Sequence, residues 1–239
     1  MRFEVITIFP ELFDSFLAKG LVAKAHTNGV IEVLRTNPRD FAANKHKSVD
    51  DAPYGGGSGM VMLPGPILEA LESREGGQRL HRVLLTPQGK PFTQATARRL
   101  SALPAVALVC GRYEGVDERV RAGLADEEIS AGDVVLTGGE LPAMMIIDAV
   151  ARLVPGVLGN AASAQAESFA SGLLDFPSYT RPAEYRGVPV PPVLLSGDHG
   201  AIERWRRESA RAATRDKRPD MIEMSSTVAA SARRPRGTS

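Results

Sequence analysis

From Arg2 to about Val154 the chain alternates strand-like and helix-like segments, and no other feature restricts its fold as much. Arg2 to Phe9 sets apolar Phe3, Val5 and Ile8 among polar residues, and Pro10 then opens a helical stretch to about Leu17. A helix over about Leu21 to Thr27 stops at Asn28-Gly29, and Val30 to Arg35 reads as a second strand. After a long polar, glycine-rich stretch from Pro38 to Gly65, the pattern predicts a helix over Pro66 to about Ser73 and a strand over His81 to Thr86. A helix over Phe92 to Leu103 and a strand over Ala105 to Cys110 follow. A helix over Glu140 to Val154 then turns Leu141, Met144, Met145, Ile147 and Val150 inward. Such alternation predicts an α/β domain whose mainly parallel sheet is covered by helices on its faces.

Composition narrows the class. Apolar residues make up 43% of the 239 and charged residues 24%, which excludes fibrous and wholly disordered chains. The longest nearly apolar stretch, Ala102 to Cys110, contains Pro104 and is half the ~20 residues of a membrane span. The opening MRFEVITIFP has no basic, apolar and cleavage regions of an export signal, so a soluble, cytoplasmic protein is expected. The single cysteine, Cys110, closes the run AVALVC and reads as a core residue at a strand end. Its four histidines, His26, His46, His81 and His199, have no metal-ligand spacing, so no metal site is expected.

Past Val154 the character changes. Gly159 to Gly172 is small and polar without a period, which predicts a first domain over 1–159, a flexible linker over 160–172 and a second domain over 173–239 with a frayed tail. Asp198 is placed to cap a helix through Trp205 to about Ala213. Glu203 to Arg218 carries seven basic residues against three acidic, a local charge of +4 in a chain whose net charge is only +1. That density suits either a solvated helix face or a surface for phosphates.

Three loops stand beside apolar runs and carry glycine: Thr86-Pro87-Gln88-Gly89, Gly111-Arg112-Tyr113-Glu114-Gly115 and Val134-Val135-Leu136-Thr137-Gly138-Gly139. In a parallel sheet they gather at the carboxyl ends of strands, where a ligand binds, and glycine lets backbone approach it. Neither a dinucleotide fingerprint nor the Gly-Lys-Ser/Thr ending of a phosphate loop is present.

The sequence resembles the bacterial tRNA (guanine-N1)-methyltransferases. The resemblance is carried by Asp50-Asp51-Ala52-Pro53-Tyr54-Gly55-Gly56-Gly57-Ser58-Gly59-Met60, by Leu108 to Arg119, by Thr137-Gly138-Gly139-Glu140-Leu141-Pro142-Ala143 and by Pro155-Gly156-Val157-Leu158-Gly159. Gly172-Leu173-Leu174-Asp175, Tyr179-Thr180-Arg181-Pro182 and Pro191 to Gly197 extend it to about residue 220.

It implies an α/β methyltransferase domain of the SPOUT class with a deep trefoil knot, an exception to the rule against knotted chains, and a small helical C-terminal domain. It implies S-adenosylmethionine as methyl donor, held by Pro87, Gly89, Gly111, Tyr113, Glu114, Gly132, Val135, Leu136, Gly138, Gly139 and Pro142, and it suggests magnesium for turnover. It also implies a homodimer with shared active sites. The substrate is the guanosine just 3′ of the anticodon, at tRNA position 37, whose methylation prevents frameshifting.

For the tRNA, Arg39, Lys45, His46 and Lys47 with the loop Tyr54 to Gly59, Gly57 within it, are placed to bind the anticodon loop, and Asp50 to accept from guanine N–H donors. Guanine N1 must lose a proton as the methyl arrives, and charge then develops on O6, so a base and a cationic donor are required. The resemblance assigns the donor to Arg152. The base falls to Glu167, standing before Ser168-Phe169 where the family carries aspartate, with Asp175 near it to orient or replace it. A second departure is Val134, where an aromatic residue is common. Two rival readings are another knotted RNA methyltransferase and an RNA-binding homologue with impaired catalysis.

Overall fold

The computed structural model describes residues 1–77, 79–159, 168–169 and 172–222. Two compact units divide the chain, residues 1–159 and 160–239. Within the first, strands β1 (Arg2–Ile6), β2 (Glu32–Thr36), β5 (His81–Pro91), β6 (Ala105–Cys110) and β7 (Glu127–Ser130) form a five-stranded sheet in the order β2-β1-β6-β5-β7. Every pairing in it is parallel. A small antiparallel pair, β3 (Asp50–Asp51) with β4 (Val61–Met62), lies inside the long segment that the sequence left as loop.

Alternation along the strands divides the core in two. In β6, Val106, Leu108 and Cys110 face the cluster formed with α1 (Asp14–Ala18), α2 (Gly20–Thr27), α4 (Gln94–Ser101) and α6 (Glu140–Ala151). Ala107 and Val109 face the other cluster, with Ile67, Ala70 and Leu71 of α3 (Pro64–Glu75) and Val120 of α5 (Glu118–Gly123). Successive side chains on a strand point to opposite faces, so a sheet buried on both sides needs apolar residues at every position, as AVALVC supplies. Local chemistry sets the helix ends: the Thr93 hydroxyl accepts from the Thr96 amide at 3.3 Å, and Gly76 closes α3 at φ 54°.

Three readings of the sequence need correction. Helix α5 and strand β7 were not foreseen, because β7 reads Glu-Glu-Ile-Ser and only Ile129 and Ser130 of it are buried. It is a short edge strand, where charged side chains are favoured because they discourage pairing with another chain. The neighbouring apolar run Val134 to Leu136 is no strand, and Val135 is 88% exposed. On α6 the inward face is Ala143, Ile146, Ile147 and Val150, whereas Leu141 and Met145 point outward. No helix among the described residues is long and apolar enough to cross a membrane.

The second unit holds a hairpin, β8 (Glu184–Tyr185) with β9 (Val188–Pro189), and the helix α7 (His199–Lys217). Asp198 caps α7 by accepting from the Ala201 amide at 2.9 Å. Of α7 only Ala210 and Thr214 are buried. The expected linker, apart from residues 168, 169 and 172, and the tail beyond Ile222 lie outside the described residues.

Candidate active site

At the carboxyl ends of β5, β6 and β7 lies a cavity of about 450 Å3, within the ~300–1,000 Å3 usual for small-ligand sites. Strand β5 makes one wall by interrupting itself: its register with β7 shifts between Leu85 and Lys90, so Thr86 to Gly89 loop out of the ladder. The turn after β6 makes the second wall, with Tyr113 at φ 59°, and the stretch from Ala131 to Gly139 makes the third.

Of the residues expected to hold the cofactor, Pro87, Gly111, Tyr113, Glu114, Val135, Leu136, Gly138, Gly139 and Pro142 line this cavity. Gly89 and Gly132 are not among its lining residues. A Cβ on Gly89 would stand 2.5 Å from the backbone of Glu128 and Ile129, so this glycine lets β5 close onto β7. Gly132 takes φ 145° with open space around it, a backbone requirement.

The glycines divide by what occupies the space a side chain would take. A Cβ on Gly139 would meet the Cys110 Cα at 2.6 Å, and one on Gly138 would run into the Arg112 side chain. Both serve the protein's own packing. Gly111 differs, since its nearest neighbours, the Leu85 carbonyl oxygen and Val116, stand at 3.6 and 3.7 Å.

Sequence reasoning passed over the polar group under the site. Arg112 Nη2 is 2.8 Å from Glu140 Oε2, and the Thr7 hydroxyl donates to Glu140 Oε1 at 2.7 Å. Glu140 is only 1% exposed and stands in the first turn of α6, where the helix dipole favours a negative charge. The Arg112 guanidinium also donates to the Thr137 carbonyl at 3.1 Å and lies over the Phe9 ring at 4.6 Å. One side chain thus ties the segment after β1, the loop before α6 and α6 itself together. Glycine counting hid it, although the Gly-Arg-Tyr-Glu and Gly-Gly-Glu motifs each displayed a charged residue beside an apolar run.

Cys110 lies against this pair and is fully buried. Burial above all, then the Glu140 carboxylate, pushes its thiol well above the usual range, against the opposing Arg112 charge.

The long segment 38–62 is stitched to the cavity. Arg39 donates to the Tyr113 hydroxyl at 3.3 Å and to the Lys47 carbonyl at 3.3 Å. The Glu114 amide donates to the Met60 carbonyl, and Met62 exchanges backbone bonds with Gly115 and Asp117. Asp50 pairs with Met62 across β3 and β4. Tyr54 is fully exposed, Gly57 takes φ 132°, and His46 lies exposed with its amide donating to Asn44 Oδ1 at 3.1 Å. Arg39 is thereby brought to the cavity mouth, with Asp50 on the same stitched segment.

Arg152 is not brought there by its own chain. It caps the far end of α6, about 18 Å along the axis from Glu140 at ~1.5 Å per residue, and is not among the cavity's lining residues. Asp175 belongs to the second unit, where its amide donates to the Ser168 hydroxyl at 2.9 Å. Glu167 lies outside the described residues. Among those described, no three carboxylates, imidazoles or thiols gather where a metal ion would sit.

The profile of the family described as tRNA (guanine-1)-methyltransferase TrmD matches residues 1–224. A tRNA (guanine-N(1)-)-methyltransferase of Sorangium cellulosum is 53% identical, covering 92% of this chain and 93% of its own. One of that name from Synechococcus sp. (strain JA-2-3B'a(2-13)) is also 53% identical, over 93% and 88%. Another from Staphylococcus epidermidis is 50% identical, over 93% and 91%.

Proposed function

The chain belongs to the tRNA (guanine-1)-methyltransferase family, and from that premise we propose that it methylates N1 of the guanosine just 3′ of the anticodon, tRNA position 37, using S-adenosylmethionine. Methylation there keeps the reading frame. The observation that carries the cofactor assignment is the cavity at the strand ends, lined by three glycine-bearing loops that include Gly111. When bound, S-adenosylmethionine supplies an electrophilic methyl group.

The chain's own residues do the rest. Tyr113, Pro87 and Leu136 enclose the donor and exclude water, and Arg39 with the segment 38–62 meets the anticodon loop. Arg152 donates to guanine O6 as negative charge develops there, and Glu167 takes the N1 proton. Asp175, whose amide donates to the hydroxyl of Ser168, the residue after Glu167 in sequence, supplies a second carboxylate.

Because Arg152 is remote from the cavity of its own chain, we assign it to the site of a second copy in a homodimer. Leu141, Met145, Asp148 and Arg152 follow one another at helical spacing on the outward side of α6. Leu141 is 64% exposed and Met145 40%, an apolar surface suited to burial against another copy. The return of the chain from edge strand β7, past the β5 loop, to the end of β6 supports a knotted crossing. There the Gly139 amide donates to the Gly111 carbonyl at 3.0 Å. A tRNA substrate supports a cytoplasmic location.

The test is incubation with labelled S-adenosylmethionine and unmodified tRNA, followed by nucleoside analysis. Label in 1-methylguanosine, abolished by replacing guanosine 37, is the expected result. A labelled ribose oxygen would return the reading to another knotted RNA methyltransferase, and donor binding without turnover to an impaired homologue.

A further inference from the structure

The unit formed by residues 160–239 has a cavity of its own, of about 460 Å3, which the reaction above does not use. Phe176, Tyr179 and Trp205 form its aromatic wall, and Arg181 and Arg206 bring positive charge. No lining residue is acidic, although α7 carries Glu203 and Glu208 close by in sequence. The rings of Tyr179 and Trp205 have centroids 6.3 Å apart and are inclined at 55°. Tyr179 is 48% exposed. The Arg206 guanidinium already lies over the Phe176 ring, 4.9 Å from its centroid.

Exposed aromatic faces beside guanidinium groups, with no carboxylate to repel phosphate, are what single-stranded nucleic acid uses: bases stack on the rings and the backbone follows the charge. We propose that this cavity takes one unstacked nucleobase of an RNA against Tyr179 and Trp205, with Arg181 and Arg206 on the adjoining phosphates. Its natural occupant rests on the tRNA substrate proposed above, and the cavity adds a second point at which that RNA is gripped.

Trp205 is the only tryptophan of the chain, so the emission of the intact protein reports on this cavity alone. Titration with a short oligoadenylate is expected to quench it saturably, and the same oligonucleotide without bases to leave it unchanged. Tyr179→Ala should weaken oligoadenylate binding about tenfold, and Tyr179→Phe, which keeps the ring, should restore it. Arg181→Gln should flatten the salt dependence without removing the quench. Unchanged emission at saturating oligonucleotide, equal quenching by the abasic strand, or tight binding of adenosine monophosphate alone each overturns the proposal. A protein that forms 1-methylguanosine while its emission ignores RNA retains the proposed function and loses this site. One whose emission responds while no 1-methylguanosine forms does the reverse.

Discussion

Gly111 and Gly139 stand one hydrogen bond apart yet should respond oppositely to substitution. At Gly111 an added methyl meets only ordinary contacts, so Gly111→Ala is expected to keep the melting temperature within a few degrees while weakening S-adenosylmethionine binding, as calorimetry would read. At Gly139 the methyl meets the Cys110 backbone, so Gly139→Ala should lower the melting temperature before any ligand is added. Equal melting temperatures for the two variants would refute the distinction. Nearby, the buried, raised thiol of Cys110 should resist alkylation at pH 8 in the folded protein and react fully once denatured. On the role proposed for it, Arg152→Ala is expected to lower turnover about a hundredfold or more with donor affinity unchanged, since its guanidinium would meet charge that exists only in the transition state. Lysine should rescue it in part.

Helix α6 is held where it starts. Removing one member of a buried ion pair leaves the other without compensation, at about 3–5 kcal/mol. Glu140→Ala should therefore lower stability by roughly that amount in a denaturant titration, and adding Arg112→Leu should recover part of it. Helix α5 offers a pH test. Hydrogen bonds from the Arg119 side chain and backbone hold its capping Asp117 down to about 2. A lowered carboxyl stabilises the fold fully above its unfolded value near ~4 and loses that contribution as pH falls toward 2, so amide exchange in α5 should accelerate only in that window. Both devices show where the sequence was readable. AVALVC and the capping Asp198 declare a buried strand and a helix start through local chemistry. Glu140 does not declare its partner, because nothing periodic connects it to an arginine on another loop. Likewise β7 escaped notice because an edge strand with two glutamates satisfies no apolar pattern, whereas the exposed Val134 to Leu136 imitates one.

At the scale of the whole molecule, Arg204, Arg207, Arg211 and Arg215 form an exposed stripe along α7. Replacing three of them by glutamine is expected to weaken tRNA binding and flatten its salt slope by about 0.7–0.9 per charge removed, with donor affinity unchanged. Subunit mixing tests the proposed sharing of the site between two copies. A Gly111→Val subunit that has lost donor binding and an Arg152→Ala subunit should together regain activity if Arg152 serves the other copy, and stay inactive if it serves its own. The sheet order β2-β1-β6-β5-β7 carries a consequence for biosynthesis. The central strand β6 is made fourth, roughly a hundred residues after β1, whose second edge stays open for about 5–20 s at ~5–20 residues per second on the ribosome. Until Cys110 has emerged, no complete sheet exists for the nascent chain to fold into. The growing polypeptide therefore presents chaperones with an unsealed β1–β2 pair, and stalled chains ending before residue 105 should be digested by protease where those ending well beyond 151 resist it.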